Sequence, residues 1–207
     1  MENSISRGPH AEDGHLAVRL FYSYRSPYCY LVNERALALA EKFRIRLEWL
    51  FMYPAKGSHE AQMETPEVAY MRKDVTRCAE AQGMELRLPS FIIQGRLAAL
   101  ASTFALKADG GEEFIGAVAR SYWVEGRDID EPKVLIEVAQ AVGLDSPSLE
   151  AALKDRRLEG AISANRRAAR SLGVFGVPTF VIEKELFWGN DRYEFVVAEL
   201  ARRGLKR

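Results

Sequence analysis

The chain is poor in the residues that build frameworks and metal centres. It has two cysteines, Cys29 and Cys78, and three histidines, His10, His15 and His59, in 207 residues. Two cysteines in a chain of this length make no disulfide framework, and the histidines show no ligand spacing, so neither a stapled scaffold nor a metal site is expected. Charge of one sign is also missing: Lys plus Arg and Asp plus Glu number 29 each, for a net charge of zero. That excludes the basic footprint of a nucleic-acid or anionic-membrane binder and leaves a small-molecule role. No segment approaches the roughly 18 consecutive apolar residues of a membrane-spanning helix. Residues 1–16, with Gly8, Pro9 and Gly14, hold no apolar stretch of signal-peptide type and read as a disordered leader. A soluble, cytoplasmic protein with both thiols reduced follows as the expectation.

What the chain does have is 48% hydrophobic composition, enough for one sizeable core. Val18, Leu20 and Tyr22 alternate with Arg19, Phe21 and Ser23, which predicts a strand. Ser26-Pro27 then opens a helix to about Phe43: the serine can cap a first-turn N–H, and the proline has its φ already set. Ile45, Leu47, Trp49 and Phe51 predict a second strand ending at Tyr53-Pro54, so the pair should be parallel in a βαβ unit.

From Gly57 to Leu172 the patterns are helical. Helices are predicted over Val68–Gln82, over Leu97–Lys107, around Phe114, Val118 and Tyr122, and over Pro132–Val142. A fifth starts at Ser146-Pro147 and runs to Leu172, with a break at Gly160. Strand chemistry returns at Gly176–Ile182 and Glu185–Trp188, a hairpin whose Glu183-Lys184 link lacks the usual glycine or asparagine and so predicts a distorted or longer turn. A last helix begins at Gly189-Asn190-Asp191, with Phe195, Val196 and Leu200 turned inward. The order is β-α-β, helices, β-β-α, an α/β thioredoxin order with a large all-helical insertion. The division is 17–54 and 174–207 for the thioredoxin-like part and 55–173 for the insertion.

Two weak signals gain weight together. Ser26-Pro27-Tyr28-Cys29 stands at the helix start where that fold carries its C-x-x-C, and Gly176-Val177-Pro178-Thr179 stands where it carries its cis-proline. With Gly126-Arg127-Asp128-Ile129, Val142-Gly143-Leu144-Asp145, Gly173-Val174-Phe175 and Leu186-Phe187-Trp188-Gly189-Asn190-Asp191-Arg192, the chain after Leu16 resembles the DsbA-like thioredoxin superfamily. Within it, the likeness is to 2-hydroxychromene-2-carboxylate isomerases and kappa-class glutathione transferases.

That resemblance implies glutathione as cofactor, a small aromatic acid as substrate and a homodimer. It implies that Ser26 holds the glutathione sulfur as a thiolate and that Val177, before a cis Pro178, offers its backbone to the cysteinyl part. Asn190 and Asp191 would receive the γ-glutamyl end. Taken singly, these residues have plain structural readings: a turn at Val177-Pro178, an N-cap at Asn190, a dipole-compensating acid at Asp191. The resemblance also implies a lysine three residues before Tyr70, where this chain has Glu67, and a proline-asparagine pattern that Leu88–Leu97 lacks. The expected activity is a glutathione-dependent isomerase. A kappa-like transferase, a DsbA-like thiol-disulfide oxidoreductase acting through Cys29, and a descendant without activity remain open beside it.

Overall fold

The computed structural model describes residues 15–54 and 65–207. Most of the expected leader, as well as Gly57 and His59, lies outside the described residues; Leu16, assigned to the leader, is the first residue of a strand. The elements are β1 (Leu16–Tyr22), α1 (Pro27–Lys42), β2 (Ile45–Phe51), α2 (Pro66–Ala81), α3 (Arg96–Ala105), α4 (Gly111–Trp123), α5 (Pro132–Ala141), α6 (Ser146–Ala152), α7 (Arg156–Leu172), β3 (Thr179–Ile182), β4 (Glu185–Trp188) and α8 (Tyr193–Arg202). One sheet, ordered β2-β1-β3-β4, pairs β1 parallel with β2 and antiparallel with β3. This is the thioredoxin-like fold with a helical insertion that the element order predicts.

Both faces of β1 are covered, which alternation alone does not convey. Val18, Leu20 and Tyr22 join the large core shared with α1, α8 and the inserted helices, while Phe21 is equally buried against Val181 and Ala169 on the α7 side. A central strand buries both sets of side chains, so only Arg19 marks the polar positions. Among the described residues no helix is long and apolar enough to cross a membrane.

Local capping explains most departures from the expected boundaries. The break expected at Gly160 falls instead at Leu153–Asp155, where the Asp155 carboxylate accepts the Arg157 N–H at 2.8 Å and starts α7 afresh, with Gly160 inside it. Asp145, not Ser146, caps α6. The β3–β4 turn is distorted, as expected, but not longer: Ile182 pairs with Glu185, and Glu183 adopts a left-handed φ of 57°. A non-glycine residue there costs on the order of 1–2 kcal/mol, offset in part by the ion pair of Glu183 with Arg203 at 3.0 Å. Asn190 is no N-cap; Asn190–Arg192 form a single 3₁₀ turn ahead of α8, and Phe195 faces outward beneath the Arg192 guanidinium.

Candidate functional site

The first turn of α1 sets the site. Ser26 has an extended backbone, and its hydroxyl oxygen accepts the Cys29 N–H at 3.3 Å, with Pro27 at the first helical position. The same hydroxyl donates to the Val177 carbonyl, also at 3.3 Å, across a sequence distance that only the folded sheet closes. The Val177-Pro178 peptide bond is cis, as expected. Ser26 and Val177 are thus brought together. A half-buried hydroxyl at an open helix N-terminus is a donor placed for an anion, and a thiolate is the anion such turns favour.

Three residues further on, the chemistry is different. Cys29 is buried, its sulfur accepts the Ser23 N–H at 3.4 Å, and burial pushes its thiol up to about 12. Burial disfavours its thiolate near neutral pH, and the residue packs in the core behind the first turn.

Ser26 itself lines none of the three clefts around it, but its neighbours do: Val177 lines two, and Arg25 and Pro27 line the other. The first, about 400 Å³, is polar: Tyr28, Asp74 and Cys78 come from α1 and α2, Val177 and Pro178 from the cis-proline loop, and Trp188 to Arg192 from the segment after β4. Asn190 is only 7% exposed, and its side-chain amide bonds to no described residue. Asp191 is exposed and pairs with Arg192 at 2.7 Å, an exchangeable surface contact. Gly189 is required here: its φ is 107°, and a Cβ on it would come within 2.5 Å of the Asp191 carboxylate. The Tyr28 hydroxyl donates to Asp74 at 2.7 Å, and burial together with that carboxylate raises the phenol well above its ordinary range.

The second cleft, about 280 Å³, is apolar. Val68 and Met71 of α2, Leu88, Phe91 and Ile92 of the following segment, and Tyr122 and Trp123 of α4 line it, with Arg25 and Arg72 as cations. The third, about 360 Å³, lies on the α7 side under Phe175, which meets Trp188 edge to face at 4.7 Å. Glu67 lines none of the three. It stands exposed in the first turn of α2, where hydrogen bonds with the Thr65 hydroxyl and its own N–H hold its carboxyl below the usual range.

A family model, the DSBA-like thioredoxin domain, matches residues 17–201. The chain belongs to that family. Within this DSBA-like family, the chain is 28% identical over 193 residues to a 2-hydroxychromene-2-carboxylate isomerase of Sphingobium xenophagum, covering 88% of this chain and 97% of that one. It is 23% identical over 199 residues to the enzyme of the same name from Pseudomonas putida, covering 90% and 95%. A solved 2-hydroxychromene-2-carboxylate isomerase superposes with a TM-score of 0.77 at 23% identity, over 90% of this chain and 95% of that one, a likeness of fold.

Reading the sequence of this DSBA-like protein misses the contribution of α2. Val68, Met71, Val75 and Cys78 look like one inward stripe, but only Val75 enters the core. Val68 and Met71 face the apolar cleft and Cys78 the polar one, so a single helix walls both. The spacing of Asp74 and Cys78, four apart, was the available signal.

Proposed function

We propose that this DSBA-like protein is a glutathione-dependent isomerase of a small aromatic acid, of the 2-hydroxychromene-2-carboxylate isomerase type. The observation that carries this reading is the contrast within one helical turn: a part-buried Ser26 hydroxyl bonded to the Val177 carbonyl, and a fully buried Cys29. With Cys29 sealed, the first turn of α1 has no accessible thiol beside Ser26, and the sulfur nucleophile at that place comes from a ligand. Bound glutathione supplies a thiolate that adds reversibly to an electron-poor ring carbon and leaves once the opened substrate has rotated.

The chain's own residues fit that ligand. Ser26 turns its hydroxyl proton from the Val177 carbonyl to the sulfur, and the freed carbonyl then accepts an N–H of the tripeptide. One rotation serves both. Asn190, whose amide bonds to no described residue and opens on the cleft, meets the γ-glutamyl end, and Asp191 faces its ammonium. The apolar cleft receives the aromatic ring, and Arg25 and Arg72 are the cations near enough to meet its carboxylate. Because Glu67 is spent on capping α2, these arginines replace the lysine expected there.

The test is calorimetric titration of glutathione into the protein, followed by isomerisation of the chromene acid with glutathione in excess. Saturable binding and isomerisation without net consumption of thiol are expected. Turnover that consumes free thiol would move the assignment to a kappa-like transferase, and no binding at millimolar glutathione would end it.

A further inference from the structure

Cys78 is a nucleophilic group beside the site for which the proposed reaction has no use. It is part-exposed, lies one turn after Asp74 in α2, and lines the polar cleft together with Tyr28, Val177, Pro178 and Asn190. A thiol in a cleft is by itself ordinary packing. The independent sign of a ligand is Asn190: nine-tenths buried, lining the same cleft, its side-chain amide bonding to no described residue. Its amide is not sealed from solvent, so at the cleft wall it is open to the polar groups of an occupant. Asp74 and Asp191 in the same walls suit an ammonium, and an amino-acid end offers both kinds of group.

From this arrangement, and resting on the reading that glutathione occupies the cleft, we propose that Cys78 is a site of reversible S-thiolation by glutathione disulfide docked there. The Cys78 thiolate attacks one sulfur of the disulfide, whose S–S bond breaks as a new one forms to Cys78. The other half leaves as glutathione thiolate and takes up the proton that Cys78 lost. Cys78 is oxidised, and one half of the disulfide is reduced to a thiol. The adduct fills the cleft with a tripeptide whose sulfur is no longer free to attack, so turnover stops until reduced glutathione reverses the exchange. The ratio of reduced to oxidised cofactor then sets the active fraction. Cys29, fully buried, stays out of this exchange.

The experiment treats the full chain with glutathione disulfide or with 2-hydroxyethyl disulfide and follows the mixed disulfide by intact mass and peptide mapping. Each rate is divided by that of free cysteine with the same reagent. Docking predicts that Cys78 prefers glutathione disulfide by about tenfold or more, through proximity in the cleft. S-methylglutathione, which cannot exchange, should slow the reaction, and Cys29 should remain unmodified. Equal normalised rates, or no effect of S-methylglutathione, would overturn the proposal. Thermal shift of the reduced protein with S-methylglutathione reports occupancy alone. A shift without a rate preference removes the thiolation and leaves the glutathione reading standing, whereas neither shift nor preference removes both.

Discussion

The two clefts that flank Ser26 share one wall, α2, and differ in almost everything else. The polar cleft takes its remaining walls from the thioredoxin-like part: Tyr28 of α1, the cis-proline loop and the turn after β4. The apolar cleft is built almost wholly from inserted segments, around 68–72, 88–92 and 122–123. On the proposed reading, the sheet and its connections supply the place for a thiol ligand, and the insertion supplies most of the surface that meets the second substrate.

The largest expected effect tests the hinge between the clefts. Ser26→Ala removes a hydrogen bond to a developing thiolate, worth about 1.5–3 kcal/mol, so turnover near neutral pH should fall by about tenfold to a hundredfold. Loss of the cap should also lower stability by about 1 kcal/mol, read by chemical denaturation. Cys29→Ser should leave the rate within about a factor of two or three, since a hydroxyl can still accept the Ser23 N–H. The reverse order of the two variants would restore the redox assignment.

Asp191→Ala belongs to the polar cleft alone. It should weaken glutathione by about tenfold in a calorimetric titration, with KM for the aromatic acid unchanged at saturating glutathione. Met71→Ala belongs to the apolar cleft and should do the opposite: KM for the aromatic acid rises about fivefold while glutathione affinity holds, because trimming a pocket side chain costs about 1 kcal/mol or slightly more. If both variants moved both constants, the clefts would be one site.

The smallest effect comes from a place remote from both. The guanidinium groups of Arg202 and Arg203 hold the Glu199 carboxyl down to about 2, below the ordinary 4.5. A carboxyl lowered in the folded chain stabilises it above the ordinary value, and that contribution is lost as pH falls from about 4.5 through 2. Glu199→Gln should therefore shift the denaturation midpoint slightly at pH 7 and leave it unchanged near pH 2, with both ligand constants untouched.

Element order, parallel β1–β2 pairing and the Ser26 cap were legible because periodicity and capping chemistry are local facts, and the cis bond was expected from the resemblance to the thioredoxin superfamily. Other features depended on what lies across the chain. Phe21 reads as a polar-face position until α7 is seen to cover that side. Asp130 reads as the start of α5, yet its carboxylate accepts the N–H groups of Gln94 and Gly95 at 2.6 and 3.0 Å, ahead of α3. Glu183 takes a left-handed backbone because the Ile182–Glu185 pairing leaves a two-residue link, and Arg203, far along the chain, pairs with its side chain. The apolar cleft was invisible for the same reason, since its walls come from three separated segments.

Trp188 gives the polar cleft a signal of its own. Of the three tryptophans, Trp49 and Trp123 are 5% and 4% exposed, whereas Trp188, 52% exposed, lines the cleft and stacks edge to face on Phe175. Intrinsic fluorescence excited at the red edge of the indole band should respond to an occupant of the polar cleft through Trp188, since neither Trp49 nor Trp123 lines that cleft. The molecule can report ligand arrival optically without a label, and Trp188→Phe should silence it.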